Sequence, residues 1–131
     1  HNGSMSTLHA NTPRDAVARL ESMIMMGPVN MPLITIRRNI ASAINLIVQV
    51  SRMNDGSRKI RNISEIMGME GEHVVLQDIF TFQPASTRDD QGRIQGEFIN
   101  HGLFNRSSVR INADIHNLAN ELNSVFSTVS K

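Results

Sequence analysis

Residues 46–82 hold three runs of strand-forming residues split by two turn signals, and this arrangement limits the fold more than any other part of the chain. Leu46-Ile47-Val48-Gln49-Val50 is compact and rich in β-branched residues, which predicts a buried strand ending near Arg52. Asn54-Asp55-Gly56 is a turn signal, because Asn and Asp bond their own backbone and Gly accepts positive φ. Lys59 to Met67 then reads as the returning strand of a hairpin. Gly68 to Glu72 is a second turn. His73 to Phe82 is a third strand, with Val74, Leu76, Phe80 and Phe82 on one side. Strands joined by short turns pair antiparallel, so the segment reads as a meander.

Helical signals precede it. Thr12-Pro13-Arg14-Asp15 is a helix start: Thr12 can cap, Pro13 suits the first helical position, and Asp15 sits where a capping-box acid would. Val17, Leu20 and Ile24 fall on one face, and Gly27-Pro28 stops the helix. Pro32 restarts a helix with Leu33, Ile36, Ile40 and Ile44 as its apolar stripe, and Arg37, Arg38 and Asn39 off that stripe. Ser4 to Ala10 alternates weakly and reads as a short strand. After the meander, Pro84 to Gln91 turns polar and reads as a loop or hairpin tip, and Arg93 to Ile99 as a short strand. Ile111, Ile115, Leu118, Leu122, Val125 and Val129 recur at near-heptad spacing and predict a closing helix.

Composition excludes several function classes. Cysteine is absent, so neither a disulfide framework nor a thiolate metal site can form. No apolar run approaches the roughly 20 residues of a membrane span; the longest, Ile44 to Val50, is broken by Asn45 and Gln49. A net charge of +1 argues against binding nucleic acid by phosphate neutralisation, and the lack of Trp and Tyr removes the usual stacking platforms. Apart from Lys59 and Lys131 every basic residue is arginine, the better partner for bidentate contacts, although base composition of the genome explains the bias as well.

Catalytic signatures are missing too. No Gly-Lys pair exists, so there is no phosphate loop, and no apolar strand ending in an acid offers a Walker B. There is no Gly-x-Ser-x-Gly elbow and no His-Glu-x-x-His, and His73, His101 and His116 are scattered. The N-terminal stretch differs. His1-Asn2-Gly3-Ser4-Met5-Ser6-Thr7-Leu8-His9-Ala10-Asn11 gathers histidines, hydroxyls and small residues into one segment that runs into a helix N-terminus. That chemistry suits contact with an anion or phosphate. On the chemistry of the residues alone, a polar edge strand followed by a capped helix is the favoured reading.

His1-Asn2-Gly3-Ser4 with Ser6-Thr7-Leu8-His9-Ala10-Asn11 resembles the histidine box of the type II/type IV secretion ATPase superfamily. Thr12-Pro13-Arg14-Asp15-Ala16 and Arg19-Leu20-Glu21 are similar to its CpaF/TadA-like branch, which powers tight-adherence (Flp) pilus assembly. The similarity continues through Pro32-Leu33, Ile36-Arg37, Ile40 to Ile44, Leu46 to Gln49, Asp55 to Arg58, Ile63-Ser64-Glu65, Gly68 to Gly71 and Leu76 to Phe80, about two-thirds of the chain. The chain opens on His1 and not on methionine, and Gly-Ser-Met can be left by cloning; the match of His1-x-Gly3-Ser4 to the box marks it as native. After Gln83 the similarity is loose, and the helix from Ile111 to Val129 has no counterpart.

The resemblance implies an α/β fold: the C-terminal half of a RecA-like P-loop ATPase domain (strand, two helices, then a β-meander) over residues 1–83, and an extension over 84–131 with loop, short strand and amphipathic helix. It implies a homohexameric ring on the cytoplasmic face of the inner membrane, peripheral to it, working with an inner-membrane platform protein and using ATP and magnesium in the full-length protein. Carried over by position, His9 would approach the terminal phosphate or the catalytic glutamate, and His1 would support the same region. Ser4 and Thr7 would help bind nucleotide. Arg14 and Arg19 would brace the box and the ring contacts, or simply pair with Asp15 and Glu21. With the phosphate loop and Walker B absent, this chain alone is expected to be inactive and to bind no cofactor. The other reading is a stand-alone, non-enzymatic interaction or oligomerisation module, in which the Ile111 to Val129 stripe docks a partner helix and does not pack on the chain's own sheet.

Overall fold

The computed structural model describes residues 3–102, 113–115 and 117–129. The fold is α/β: two helices, α1 (Pro13–Met25) and α2 (Leu33–Ala43), followed by strands β1 (Leu46–Arg52), β2 (Arg58–Glu70), β3 (His73–Arg88) and β4 (Ile94–Asn100). A last helix spans Ala119–Val129. The strands form one sheet in the order β1-β2-β3-β4, antiparallel throughout. The meander expected from the turn signals is therefore present, with β4 as its fourth strand.

α1 begins as its sequence predicts. Thr12 is extended at the cap (φ −143°, ψ 161°), and its Oγ1 accepts from the Asp15 N–H at 3.0 Å. Asp15 Oδ2 accepts in return from the Asn11 N–H at 3.2 Å, one residue earlier than in a standard capping box. α2 ends at Ile44, whose backbone turns extended (φ −98°, ψ 125°) and leads into β1. Both helices pack on one face of the sheet. Val17 of α1, Ile36 and Ile40 of α2, Ile66 of β2 and Val74 of β3 form the buried cluster, lined by Leu20, Ile24, Ile44, Ile47, Met69 and Leu76.

Several expectations need correction. Ser4 to Ala10 is not a strand: residues 3–10 belong to no ladder, because β1 pairs only with β2 and no other described strand lies beside the segment. The leading strand of the expected half-domain is thus missing. β1 is not buried either. It is an edge strand in which Leu46, Val48 and Val50 are 41–52% exposed, while Gln49 is buried toward the helices. Gly68 to Glu72 is not all turn. β2 runs on to Glu70 by bulging between Ile66 and Gly68, where Gly68 takes φ +125°, a value barred to side-chain-bearing residues. The turn shrinks to Gly71-Glu72, with Gly71 at φ +60° as a two-residue hairpin loop requires. Finally, β3 continues from Phe82 to Arg88. Past Thr81 it is paired only with β4, and a strand bonded on one side tolerates Pro84.

Bulges also divide the third strand. A register shift at Ile63/Ser64 skips Ile79, so Val74 and Leu76 face the helices while Phe80 and Phe82 lie on the opposite face, and not on one side as alternation predicted. The closing helix is interrupted. Residues 113–115 are helical, and Asn117 then adopts φ +57°. Leu118 N–H returns to Ala113 O (2.7 Å) and Asn117 N–H to Asp114 O (3.3 Å), the bond pair of a Schellman stop. Asn is the residue other than Gly that enters this conformation most readily. Ile111 and His116 lie outside the described residues.

A carboxylate ties the two ends of the meander together. Asp55, in the β1–β2 turn, accepts from Ser57 N (2.9 Å) and Ser57 Oγ (2.6 Å) through Oδ1, and from Ile94 N of β4 (2.6 Å) through Oδ2. These donors, led by the Ser57 hydroxyl, hold its carboxyl down at about 2 from an ordinary 3.8. Asp89 in the β3–β4 turn is lowered likewise, first by the Arg93 backbone N–H. Because folding depresses these values, the stability they contribute is complete above the ordinary carboxyl value and is lost as pH falls through the folded one. The melting temperature is expected to fall between about pH 5 and pH 2. Asp55→Asn should melt lower at neutral pH and show a shallower acid decline. Parallel profiles in a thermal series across that range would contradict the clamp.

Candidate functional site

The chemistry-bearing residues singled out in the sequence lie on the segment that leads into α1 and on α1 itself. His1 lies outside the described residues. Ser4, Thr7 and His9 sit on the extended segment and are all exposed. That exposure follows from the local sequence: over residues 3–10, six small or polar positions with one Met and one Leu cannot bury enough surface to pack. Met5 is 100% exposed. The segment becomes fixed only at its end. Ala10 O accepts from Gln49 Nε2 of β1 at 2.8 Å, Asn11 is held by Asp15, and Thr12 caps the helix.

Arg14, in the first turn of α1, is exposed and faces a shallow depression of about 450 Å3 lined with Glu70, Gly71, His73, Val74 and Val75. It lies at the β2–β3 turn, so the helix start and the hairpin tip share one end of the molecule. Arg19 is exposed on α1. The pairing considered for it does not form: Glu21 accepts instead from Arg37 Nε of α2 at 3.0 Å, with both side chains largely covered. Arg37 Nη1 also donates to Glu72 O at 3.0 Å, so one guanidinium links α1, α2 and the β2–β3 turn. Asp15, the other partner considered, holds the Asn11 N–H.

Ser4, Thr7 and His9 precede α1 on the exposed segment, Arg14 lies in its first turn and Arg19 over a turn further on, and none of the described contacts joins these side chains to one another. His101 hydrogen-bonds Thr81 Oγ1 through Nε2 at 2.9 Å. Among the described residues no three His, Asp or Glu side chains converge as a metal site would require. None of the described helices is long and apolar enough to cross a membrane.

Two contributors escaped the sequence reading. Gln49 left a trace, being the polar break in an apolar strand. Arg37 left none, since its partners lie 16 and 35 positions away. On the sheet face turned from the helices, Leu46, Val48, Val50 and Ile60 form an exposed apolar strip, while Glu65 and Phe80 on the same face are buried. Most of the strip lies on β1, and the histidine-bearing segment is bonded to β1 through Gln49; β1 and β4 are the two edge strands, each with a single ladder partner among the described residues. No protein-family model and no curated protein matches the chain.

Proposed function

We propose that the chain is the C-terminal part of a secretion or pilus-assembly motor ATPase of the CpaF/TadA-like branch. In this reading it belongs to a RecA-like domain, works in a homohexameric ring at the cytoplasmic face of the inner membrane against a platform protein, and serves pilin assembly or protein export. The observation that carries the reading is the unfinished side of the sheet. Among the described residues β1 carries no ladder partner on its outer edge; it exposes Leu46, Val48 and Val50, and its Gln49 holds the end of the histidine-bearing segment. A free, apolar edge strand is a liability that folded domains normally cover. A phosphate loop follows a strand, and strands carrying the upstream motifs would add at this edge.

The residues present fit one side of a phosphate site. Ser4, Thr7 and His9 are exposed donors on one segment, and the α1 start behind them favours negative charge. ATP with magnesium would supply the phosphoryl chemistry. This chain's part is to present those donors, with Arg14 and Arg19 bracing the box and the ring. The chain contains no Gly-Lys pair to supply the other side of the site, so no hydrolytic step is assigned to these residues alone.

The test is enzymatic. A longer form of the protein that extends upstream through a Gly-Lys-Thr or Gly-Lys-Ser loop is expected to hydrolyse ATP in magnesium, and the 131-residue chain to show no turnover. Upstream sequence without such a loop, or a longer protein without turnover, overturns the reading. A second reading, an interaction module, draws on the exposure of Ile115, Leu118 and Val125. Deleting residues 111–131 should then change the oligomeric state by light scattering; an unchanged state counts against it.

A further inference from the structure

We infer that Gln49 is a positioning residue that fixes where the histidine-bearing segment leaves the sheet, and thereby where His9 stands. The inference rests on the proposed function for its catalytic consequence and on geometry alone for its structural one. Gln49 occupies the middle of β1 between Val48 and Val50, points to the helix side, and is 8% exposed. A buried amide is costly unless its polar atoms are paired, and an apolar side chain of similar volume would fill the same space without that cost. Its Nε2 donates to Ala10 O at 2.8 Å, across 39 positions of chain, whereas its approach to Val50 O is at the 3.5 Å limit.

The bonded carbonyl belongs to the residue that follows His9. Three consecutive residues are then held by three different groups: Ala10 by Gln49, Asn11 by Asp15, and Thr12 by its own capping bond to Asp15 N–H. The last two attach the segment to α1; Gln49 attaches it to the sheet. Residues 3–9 are exposed, so the Ala10 carbonyl is the point nearest His9 at which the sheet sets its position. Displacing a donor by about an ångström can cost up to 100-fold in rate where orientation matters. A residue that sets such a position should therefore act on turnover more than on nucleotide affinity.

Gln49→Met keeps the volume and removes the donor. In the 131-residue chain, the 15N heteronuclear NOE of His9, Ala10 and Asn11 is expected to drop, with Val17 and Ile66 unchanged. In the longer protein, kcat is expected to fall about tenfold or more with KM for ATP within about twofold. An unchanged NOE at His9–Asn11 overturns the latch. A lowered NOE with wild-type kcat overturns the catalytic consequence while leaving the motor reading standing. A wild-type longer protein that does not hydrolyse ATP overturns the motor reading, and the NOE alone then decides the latch. If Gln49→Met fails to fold, Gln49→Asn, which keeps the amide but falls short of Ala10, takes its place with the same outcomes.

Discussion

His9→Ala in the longer protein should reduce ATP turnover by roughly 100-fold to 10,000-fold, the range over which a positioned proton-transfer or donor group acts. Stability of the fold should hardly change. His9 is exposed on a segment that belongs to no helix or ladder, and substitutions at such positions usually shift stability by no more than about 0.5 kcal/mol. The separation of the two readouts is what makes the variant informative. A core residue would lose both, and a bystander would lose neither. His73→Ala is the matched control: it removes an imidazole from the depression beside Arg14, at the hairpin tip, and should leave turnover near wild type. Steady-state ATP hydrolysis and a thermal melt on the same preparations decide the matter. Wild-type turnover by His9→Ala removes His9 from the site, whatever becomes of the motor reading.

How far the sequence led depends on how local each determinant is. The α1 cap, the Gly27-Pro28 stop, the β1–β2 turn and the antiparallel meander were all legible, because each is written in a few adjacent residues. Failures cluster where a distant partner decides. Leu46, Val48 and Val50 have strand chemistry, but their exposure depends on what lies beyond the edge of β1, which their own sequence does not record. Weak alternation over Ser4 to Ala10 suggested a strand, yet a strand needs a neighbour to bond, and none of the described strands reaches it. The bulges at Ile63/Ser64 and Ile66/Gly68 reset which side chains share a face, so Phe80 and Phe82 part company with Val74 and Leu76. Within the site, positions were legible and partners were not. Arg14 could be placed at a helix start from Pro13 and Thr12, whereas the Glu21–Arg37 pair and the Gln49–Ala10 bond join residues whose relation only the folded chain creates.

Ile36→Ala should destabilise the chain by about 2–5 kcal/mol, the usual cost of deleting a large aliphatic side chain from a core that only partly closes over the cavity. Ile36 is 1% exposed and belongs to the cluster with Val17, Ile40, Ile66 and Val74, which joins α1 and α2 to the two central strands. α1 and α2 cover one face of the sheet, and the buried cluster beneath them is those five residues with a rim of half-covered ones. A larger core could spread the loss over more contacts; this one has few to spare. Domains of this size are commonly stable by about 5–15 kcal/mol, so the variant gives up a large fraction of its margin. Leu33 lies three positions earlier on α2 but is 38% exposed, and Leu33→Ala should cost well under half as much. Urea titrations of both variants, compared at equal slope, measure the difference. Equal midpoints would show that α2 does not seat on the sheet through Ile36. A large loss confined to Ile36→Ala would fix the helix layer against β2 and β3, the arrangement that buries Gln49 on the helix side of β1, where it holds Ala10 next to His9.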